Sequence, residues 1–270
     1  MRRITLLTNP DLCNLHCPLC FLRQRGASTP YGEMPFELAQ AAIEKYAPQE
    51  LIPSTMGEPL LYSRFKELLE FCRVRNIKIN LTTNGTFPHP WNSKQGMDNL
   101  LTACSDIKIS TLAYEVGGIS QRDWLENVER LLEYRRQLSS NFSTATLSLQ
   151  VTLHRENIDK VDTILHWAEC AGIQRIKWNP VVFLDNAPQA LQDRFKISDE
   201  EIEFLRQEFL SGNLRSSKVK NEGSLFFKGN SDICPVGGKC EACPFIDEIW
   251  IWPDSHEDHC PNPQKRWKNS

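Results

Sequence analysis

Three cysteines fall close together in the segment Cys13-Asn-Leu-His-Cys17-Pro-Leu-Cys20. A C-x3-C-x2-C loop this short lets three thiolates face one small volume. Two chemistries suit it. A cubane 4Fe–4S cluster has four irons, so three protein thiolates leave one iron open to another ligand. A structural zinc ion wants a fourth ligand close by, and His16 is the local candidate. Four further thiols, Cys234, Cys240, Cys243 and Cys260, gather near the end of the chain and can complete one cluster or one zinc site. The other three, Cys72, Cys104 and Cys170, stand alone in apolar surroundings and read as small buried hydrophobes. Ten cysteines in 270 residues are too few for a disulfide scaffold. Clustered as they are, in a reducing compartment, they point to metal.

These thiols need a scaffold, and the hydrophobic periodicity supplies one. Strand-like runs fall at Ile4–Thr8, Glu50–Ser54, Ile77–Thr83, Asp106–Thr111, Ala145–Leu153 and Arg175–Val182. Between them lie amphipathic stretches at Pro35–Tyr46, Ser63–Arg75, Ser120–Leu138 and Ile158–Ala171. The spacings Ser120-Gln-Arg-Asp123 and Ser198-Asp-Glu-Glu201 resemble capping boxes; the second precedes Ile202, Leu205 and Phe209 on one helical face. Thr86–Met97, with Pro88, Pro90 and Gly96, reads as a long loop before a short helix at Asp98–Ala103. Strand and helix alternating about six times predict a parallel α/β sheet, open or curled into a barrel, with ligands at the carboxyl ends of the strands. After Gly212 the pattern changes to Gly, Ser, Lys, Asn, Pro and cysteine without a long amphipathic helix, so a boundary is expected near 213–220.

Composition narrows the partners. The chain is 40% hydrophobic and 24% charged, with 31 basic and 34 acidic residues and a net charge of −3. That balance argues against a polybasic nucleic-acid or membrane-surface protein. No apolar run approaches the roughly 18 residues of a membrane span, and the first ten residues lack a secretory apolar core, so a cytoplasmic protein is expected.

In this context the cysteine loop resembles the signature of the radical S-adenosylmethionine (radical SAM) superfamily, and later segments match that family in order. Thr55-Met56-Gly57-Glu58-Pro59-Leu60-Leu61 looks like its GGEPLL turn, which receives the methionine amino group. Leu81-Thr82-Thr83-Asn84-Gly85 looks like its TNG strand end. Leu149-Gln150-Val151-Thr152-Leu153, Arg155-Glu-Asn157-Ile158 and Gly172-Ile173 resemble its second half. The resemblance covers about residues 1–182. Two positions depart from it: Leu19 replaces the usual aromatic residue before the third cysteine, with Phe21 following, and Met56 replaces the first glycine of GGE, leaving Gly57 to supply the close backbone approach.

The resemblance implies a partial (β/α)6 barrel at residues 1–213 and a small cysteine-rich lobe at 214–270. Cys13, Cys17 and Cys20 would hold a 4Fe–4S cluster whose open iron chelates S-adenosylmethionine. An electron from a donor such as flavodoxin or ferredoxin would release a 5′-deoxyadenosyl radical, which takes a substrate hydrogen. Glu58 would accept from the cofactor's amino group within the turn Met56-Gly57-Glu58. Ser110, Thr83 and Asn84 are further candidate cofactor contacts. The cysteine-rich tail resembles a shortened SPASM or twitch extension, so Cys234, Cys240, Cys243 and Cys260 are expected to bind an auxiliary 4Fe–4S cluster, with zinc or a cluster with an open iron as the alternatives.

Such tails are commonest in peptide maturases, so a ribosomally made precursor peptide is the expected substrate; splicing, epimerisation and crosslinking are all compatible. A radical SAM enzyme acting on a small metabolite is the alternative, and a non-enzymatic iron–sulfur or zinc protein a remote one. No winged-helix module fits before Arg3 or after residue 213, so leader recognition is expected from a separate small protein. Trp250, Trp252 and Trp267 with Phe245 read as packing within the tail lobe. His256 and His259 read as solvated, and Lys265-Arg266-Trp267-Lys268 as a terminal basic run rather than a nucleic-acid patch. With three plus four ligand cysteines, anaerobically reconstituted protein should carry about eight irons per chain. About four irons with one zinc would instead mark the tail as a zinc site.

Overall fold

The computed structural model describes residues 3–24, 31–54, 56–138, 144–226 and 248–259. Its strands are β1 (Arg3–Leu6), β2 (Glu50–Pro53), β3 (Lys78–Thr83), β4 (Cys104–Ser110), β5 (Thr146–Leu153), β6 (Arg175–Pro180), β7 (Lys220–Glu222), β8 (Ile249–Ile251) and β9 (Glu257–Asp258). The helices are α1 (Phe21–Gln24), α2 (Phe36–Tyr46), α3 (Phe65–Val74), α4 (Lys94–Ala103), α5 (Leu112–Glu115), α6 (Gln121–Leu138), α7 (Val161–Ala171), α8 (Gln189–Phe195) and α9 (Asp199–Ser211). The strands form one sheet in the order β7-β6-β5-β4-β3-β2-β1-β8-β9, parallel throughout except for the antiparallel pair β8–β9. Six β/α units in sequence order curl into an open partial barrel, as the alternation predicted.

The sheet has two chemically distinct faces. Ile79 and Leu81, Ile107 and Ile109, and Leu147, Leu149 and Val151 alternate along β3, β4 and β5 and pack with Leu68, Leu100, Val128 and Ile164 of the covering helices. The residues between them turn the other way. Lys108 donates to Asn80 Oδ1, and Ser148 Oγ donates to Asp106 Oδ1 at 2.6 Å, so these four share the inner face of the barrel. At the amino ends of the strands Arg3 pairs with Glu248 and lies 3.6 Å from Glu50.

Several expectations change. Strands β7, β8 and β9 come from the region after residue 213 and extend the core sheet at both edges. Trp250 and Trp252 therefore pack with Leu7, Met56 and Leu184 beside β1, where the sequence reading put them inside a separate tail lobe. Trp267 and Phe245 lie outside the described residues. Helix α4 starts at Lys94 rather than Asp98, because Ser93 Oγ caps it by accepting from Gly96 N–H at 3.1 Å. Gly96 is there for steric room: a Cβ would stand 2.5 Å from Pro90 O and 2.8 Å from Trp91 Cα. Cys72 and Cys104 are buried as expected, but Cys170 is exposed. It sits two positions past Ala168, off the face of α7 that Val161, Ile164, Leu165 and Ala168 bury. The capping box at Ser198 and Glu201 forms in full, whereas at the start of α6 the contact found is Asp123 N–H to Ser120 Oγ. Among the described residues, no helix is long and apolar enough to cross a membrane.

Candidate functional site

The chain leaves β1 through buried Asn9 and enters the cysteine loop at the carboxyl edge of the sheet. Cys13 Sγ receives the Leu15 N–H at 3.4 Å and faces Asn84 Nδ2 at 3.7 Å. Cys17 Sγ lies 3.8 Å from Leu112 O, at the start of α5. A Cβ on Gly117 would come within 2.6 Å of the same sulfur, so the absence of a side chain there makes the room that Cys17 occupies. Cys20 begins the turn into α1, its carbonyl accepting from Arg23 and Gln24.

All three thiols are free and half-buried. Burial raises each of them: Cys17 is pushed up to about 12, first by desolvation and then by the negative charge of Cys20 and Cys13. Cys13 and Cys20 are raised by the same primary cause. Bare thiolates are thus disfavoured in this loop, and a cationic metal group is what makes them stable. Among the described residues, no three His, Cys, Asp or Glu side chains converge as a single ion requires. His16 is exposed, its backbone N–H bonded to Gly117 O at 3.3 Å. Three thiolates each binding a different iron of a cube leave the fourth iron open to another ligand, so this donor set fits a 4Fe–4S cluster.

The turn after β2 is fitted against this loop. Gly57 has φ +70°, and a Cβ there would meet Asn9 O at 2.2 Å and Leu12 O at 2.6 Å. Only glycine allows this approach, which lets Glu58 N–H reach Leu12 O at 2.8 Å and Asn9 Nδ2 reach Glu58 O at 2.7 Å. Met56 tolerates its position because its side chain turns into the cluster of Leu7, Leu184, Trp250 and Trp252. Leu19 is buried, and Phe21 packs against that same cluster.

Glu58 is fully enclosed, and its carboxylate is committed to the protein. Oε1 accepts from Thr83 Oγ1 at 2.8 Å and Leu60 N–H at 3.3 Å, while Oε2 accepts from Asn84 N–H at 2.7 Å. Desolvation nevertheless pushes its pKa up to about 7, against the lowering effect of those three donors. Asn84 extends the tie by donating to Asn14 Oδ1 at 2.9 Å. The structure thus brings Met56, Gly57, Glu58, Thr83 and Asn84 together with Cys13. Ser110 ends β4 opposite Gln150, its carbonyl taking the Trp124 indole N–H at 3.2 Å.

Sequence reasoning missed two parts of this neighbourhood. Asn9 is one. The other is a buried group at the ends of β4 and β5, where Glu115 Oε2 meets His154 Nε2 at 3.2 Å and Asn157 Nδ2 at 3.0 Å. Glu156 N–H donates to His154 Nδ1 at 3.3 Å, which places the ring proton on Nε2, directed at Glu115. Asn157 belonged to a quoted motif, whereas nothing near Glu115 in the sequence announced it. His256 and His259 are exposed, as expected. Cys234, Cys240, Cys243 and Cys260, with Lys265-Arg266-Trp267-Lys268, lie outside the described residues.

Comparisons with known proteins bear on this geometry. The sequence profile of the radical SAM superfamily matches residues 10–168. The tungsten-containing aldehyde ferredoxin oxidoreductase cofactor-modifying protein of Pyrococcus furiosus is 22% identical over 176 residues, which make up 60% of this chain and 46% of that protein. Streptococcus suis SuiB bound to S-adenosylmethionine superposes with a TM-score of 0.67 at 14% identity, covering 96% of this chain and 60% of SuiB. Native anSMEcpe with bound AdoMet gives 0.65 at 15% identity, covering 100% of this chain and 80% of that one. The chain therefore spans less than half of the curated relative and about three fifths of SuiB.

The Glu58 carboxyl sets a pH dependence. Its folded pKa of about 7 lies above the ordinary 4.5, so folding favours the protonated form. The contribution is fully present below about pH 4.5, is lost as pH rises through 7, and is flat above that. In metal-free protein this amounts to about 3 kcal/mol. Urea unfolding of wild type and Glu58→Gln at several pH values between about 5 and 8 reads it directly. Wild type should weaken relative to the variant as pH rises; parallel curves would show that Glu58 does not titrate in this window.

Proposed function

The chain belongs to the radical SAM superfamily, and from that premise we propose that it modifies a ribosomally synthesised precursor peptide. It is a radical SAM enzyme, and membership implies a 4Fe–4S cluster and S-adenosylmethionine. When bound, these supply a 5′-deoxyadenosyl radical by one-electron cleavage of the sulfonium, chemistry that belongs to the cofactors rather than to side chains.

The chain's own residues do the rest. Cys13, Cys17 and Cys20 hold the cluster, with the Leu15 N–H and Asn84 amide beside the Cys13 sulfur and Gly117 leaving space at Cys17. Met56, Gly57 and Glu58 form the turn that meets the cofactor's amino group, and Thr83, Asn84 and Ser110 border it. Both Glu58 oxygens already accept from the protein, so its first task is to hold that turn against β3; a ligand ammonium adds to bonds already made. The extension at 214–270 complements the core at 1–213. Its Cys234, Cys240, Cys243 and Cys260 bind an auxiliary cluster, in the manner of a shortened SPASM or twitch module, that takes an electron from the substrate radical or fixes the substrate.

The observation that carries the peptide reading is the match to SuiB bound to precursor peptide SuiA, with a TM-score of 0.65 over 96% of this chain. The match to anSMEcpe with AdoMet and the Kp18Cys peptide supports it at 0.63. A small-molecule substrate is the second reading, favoured by the Pyrococcus furiosus relative, which is named for modifying a cofactor.

Replacing Cys13, Cys17 and Cys20 together by Ala should abolish 5′-deoxyadenosine formation, measured by chromatography after anaerobic reduction with S-adenosylmethionine. Cys240→Ala with Cys243→Ala should stop product formation; normal product would remove the auxiliary cluster from the mechanism. The substrate is tested with candidate precursor peptides, with and without a small leader-binding protein encoded beside this one. A mass change in the peptide with matching 5′-deoxyadenosine is expected. Turnover of a free metabolite with no response to any peptide would replace this reading with the second.

A further inference from the structure

The inner face of the barrel carries two lysines for which the chemistry above has no use. Lys108 is the central inner-face residue of β4 and is 7% exposed. Its ammonium donates to Asn80 Oδ1, a neutral acceptor that satisfies one of three N–H groups. The nearby carboxylate of Asp106 already accepts from Ser148. Burial and the like charge of Lys177 push the Lys108 pKa down to about 8, with Arg3 acting in the same direction and Asp106 and Glu50 opposing.

Lys177 lies on the same face of β6, two strands away and one step nearer the carboxyl ends, in register with Gln150 and, through it, Ser110. It lines a cavity of about 440 Å³ with Asn179, Glu222, Ser224 and Phe226. Glu222, the acid of that cavity, is paired with Lys220 at 2.5 Å and also feels the charges of Arg175 and Lys177, the latter its register partner on β6. The two lysines therefore share one face of the sheet on either side of β5, near enough for the charge of Lys177 to act on Lys108. The residues between them on β5, Ser148 and Gln150, are neutral.

A buried ammonium short of acceptors is costly, and two that repel one another are costlier. An anion between them would relieve both costs and gain charge-assisted hydrogen bonds. We propose that Lys108 and Lys177 together bind a carboxylate of the substrate on the inner face of the barrel. This rests on the peptide reading only for the source of that carboxylate, an acidic side chain or the chain end of the peptide; the binding site itself does not depend on it.

The probe is radiolabelled succinate in equilibrium dialysis, with succinamide as its uncharged counterpart. The full-length, cluster-loaded protein is used with saturating S-adenosylmethionine, which keeps the probe off the open iron. Wild type should bind succinate and not succinamide, and Lys108→Met and Lys177→Met should each weaken succinate binding about tenfold or more. Lys108→Met removes a buried charge and keeps side-chain length, so the fold is retained, which melting temperature and iron content verify. Lys177 is half-exposed and carries the test independently. No succinate binding by wild type, or equal binding by wild type and both variants, overturns the proposal.

A second arm compares precursor peptides with their acidic groups intact or converted to amides. Wild type should prefer the acidic form about tenfold, and Lys108→Met should treat the two alike. Succinate held by the two lysines without turnover of any peptide would fault the peptide reading and support this site. Peptide turnover indifferent to acidic groups, with succinate binding indifferent to both lysines, would overturn this site and leave the peptide reading in place.

Discussion

Removing a carboxylate from water costs several kcal/mol unless its oxygens find donors, and Glu58 finds three. One is in its own turn and two are at the end of β3, so the burial cost is offset, though only in part, when those strand ends stand in register. The backbone of the same residue bonds Leu12 and Asn9, which fixes the entry to the cysteine loop. A single buried acid thus joins the carboxyl ends of β1, β2 and β3. The contact exists because Gly57 has no side chain to hold the loop away. A hydrophobic residue at position 58 could fill the space but would leave the Asn84 N–H and Thr83 hydroxyl unpaired.

The sheet divides stability from chemistry by face. Outward-facing Ile, Leu and Val pack under α2, α3, α4, α6 and α7 and supply the apolar burial that holds the fold. The inner face instead carries Thr5, Asn80, Asp106, Lys108 and Ser148, all buried. A parallel sheet buried on both faces usually reads as near-continuous apolar runs. Here the alternation of Ile79-Asn80-Leu81 or Ile107-Lys108-Ile109 marks a barrel whose interior is polar. The inner face is thus floored with hydrogen-bonding groups, while the apolar burial lies on the opposite face under the helices.

Much of this was legible in the sequence, for local reasons. The strands β1 to β6 and their helices follow from long periodic runs, and the cysteine loop and Met56-Gly57-Glu58 turn from residue types with few other uses. Short elements were not legible: β7 and β8 have three residues each and no periodicity to detect. Gly96 was misread because glycine marks both loops and tight helix contacts. Cys170 was misread because apolar neighbours in sequence are not neighbours on a helix, and the spacing from Ala168 turns it outward. Glu115 and His154 met through the fold alone, 39 positions apart.

The order of the strands has one more consequence. Strand β7 lies at one end of the sheet beside β6, and β8 lies beyond β1, toward the other. The described residues on either side of positions 227–247 therefore belong to opposite halves of one sheet. Cys234, Cys240 and Cys243 all belong to that span. Fixing both ends of a segment costs chain entropy that fixing one end does not, and each doubling of segment length adds only about 0.6 kcal/mol.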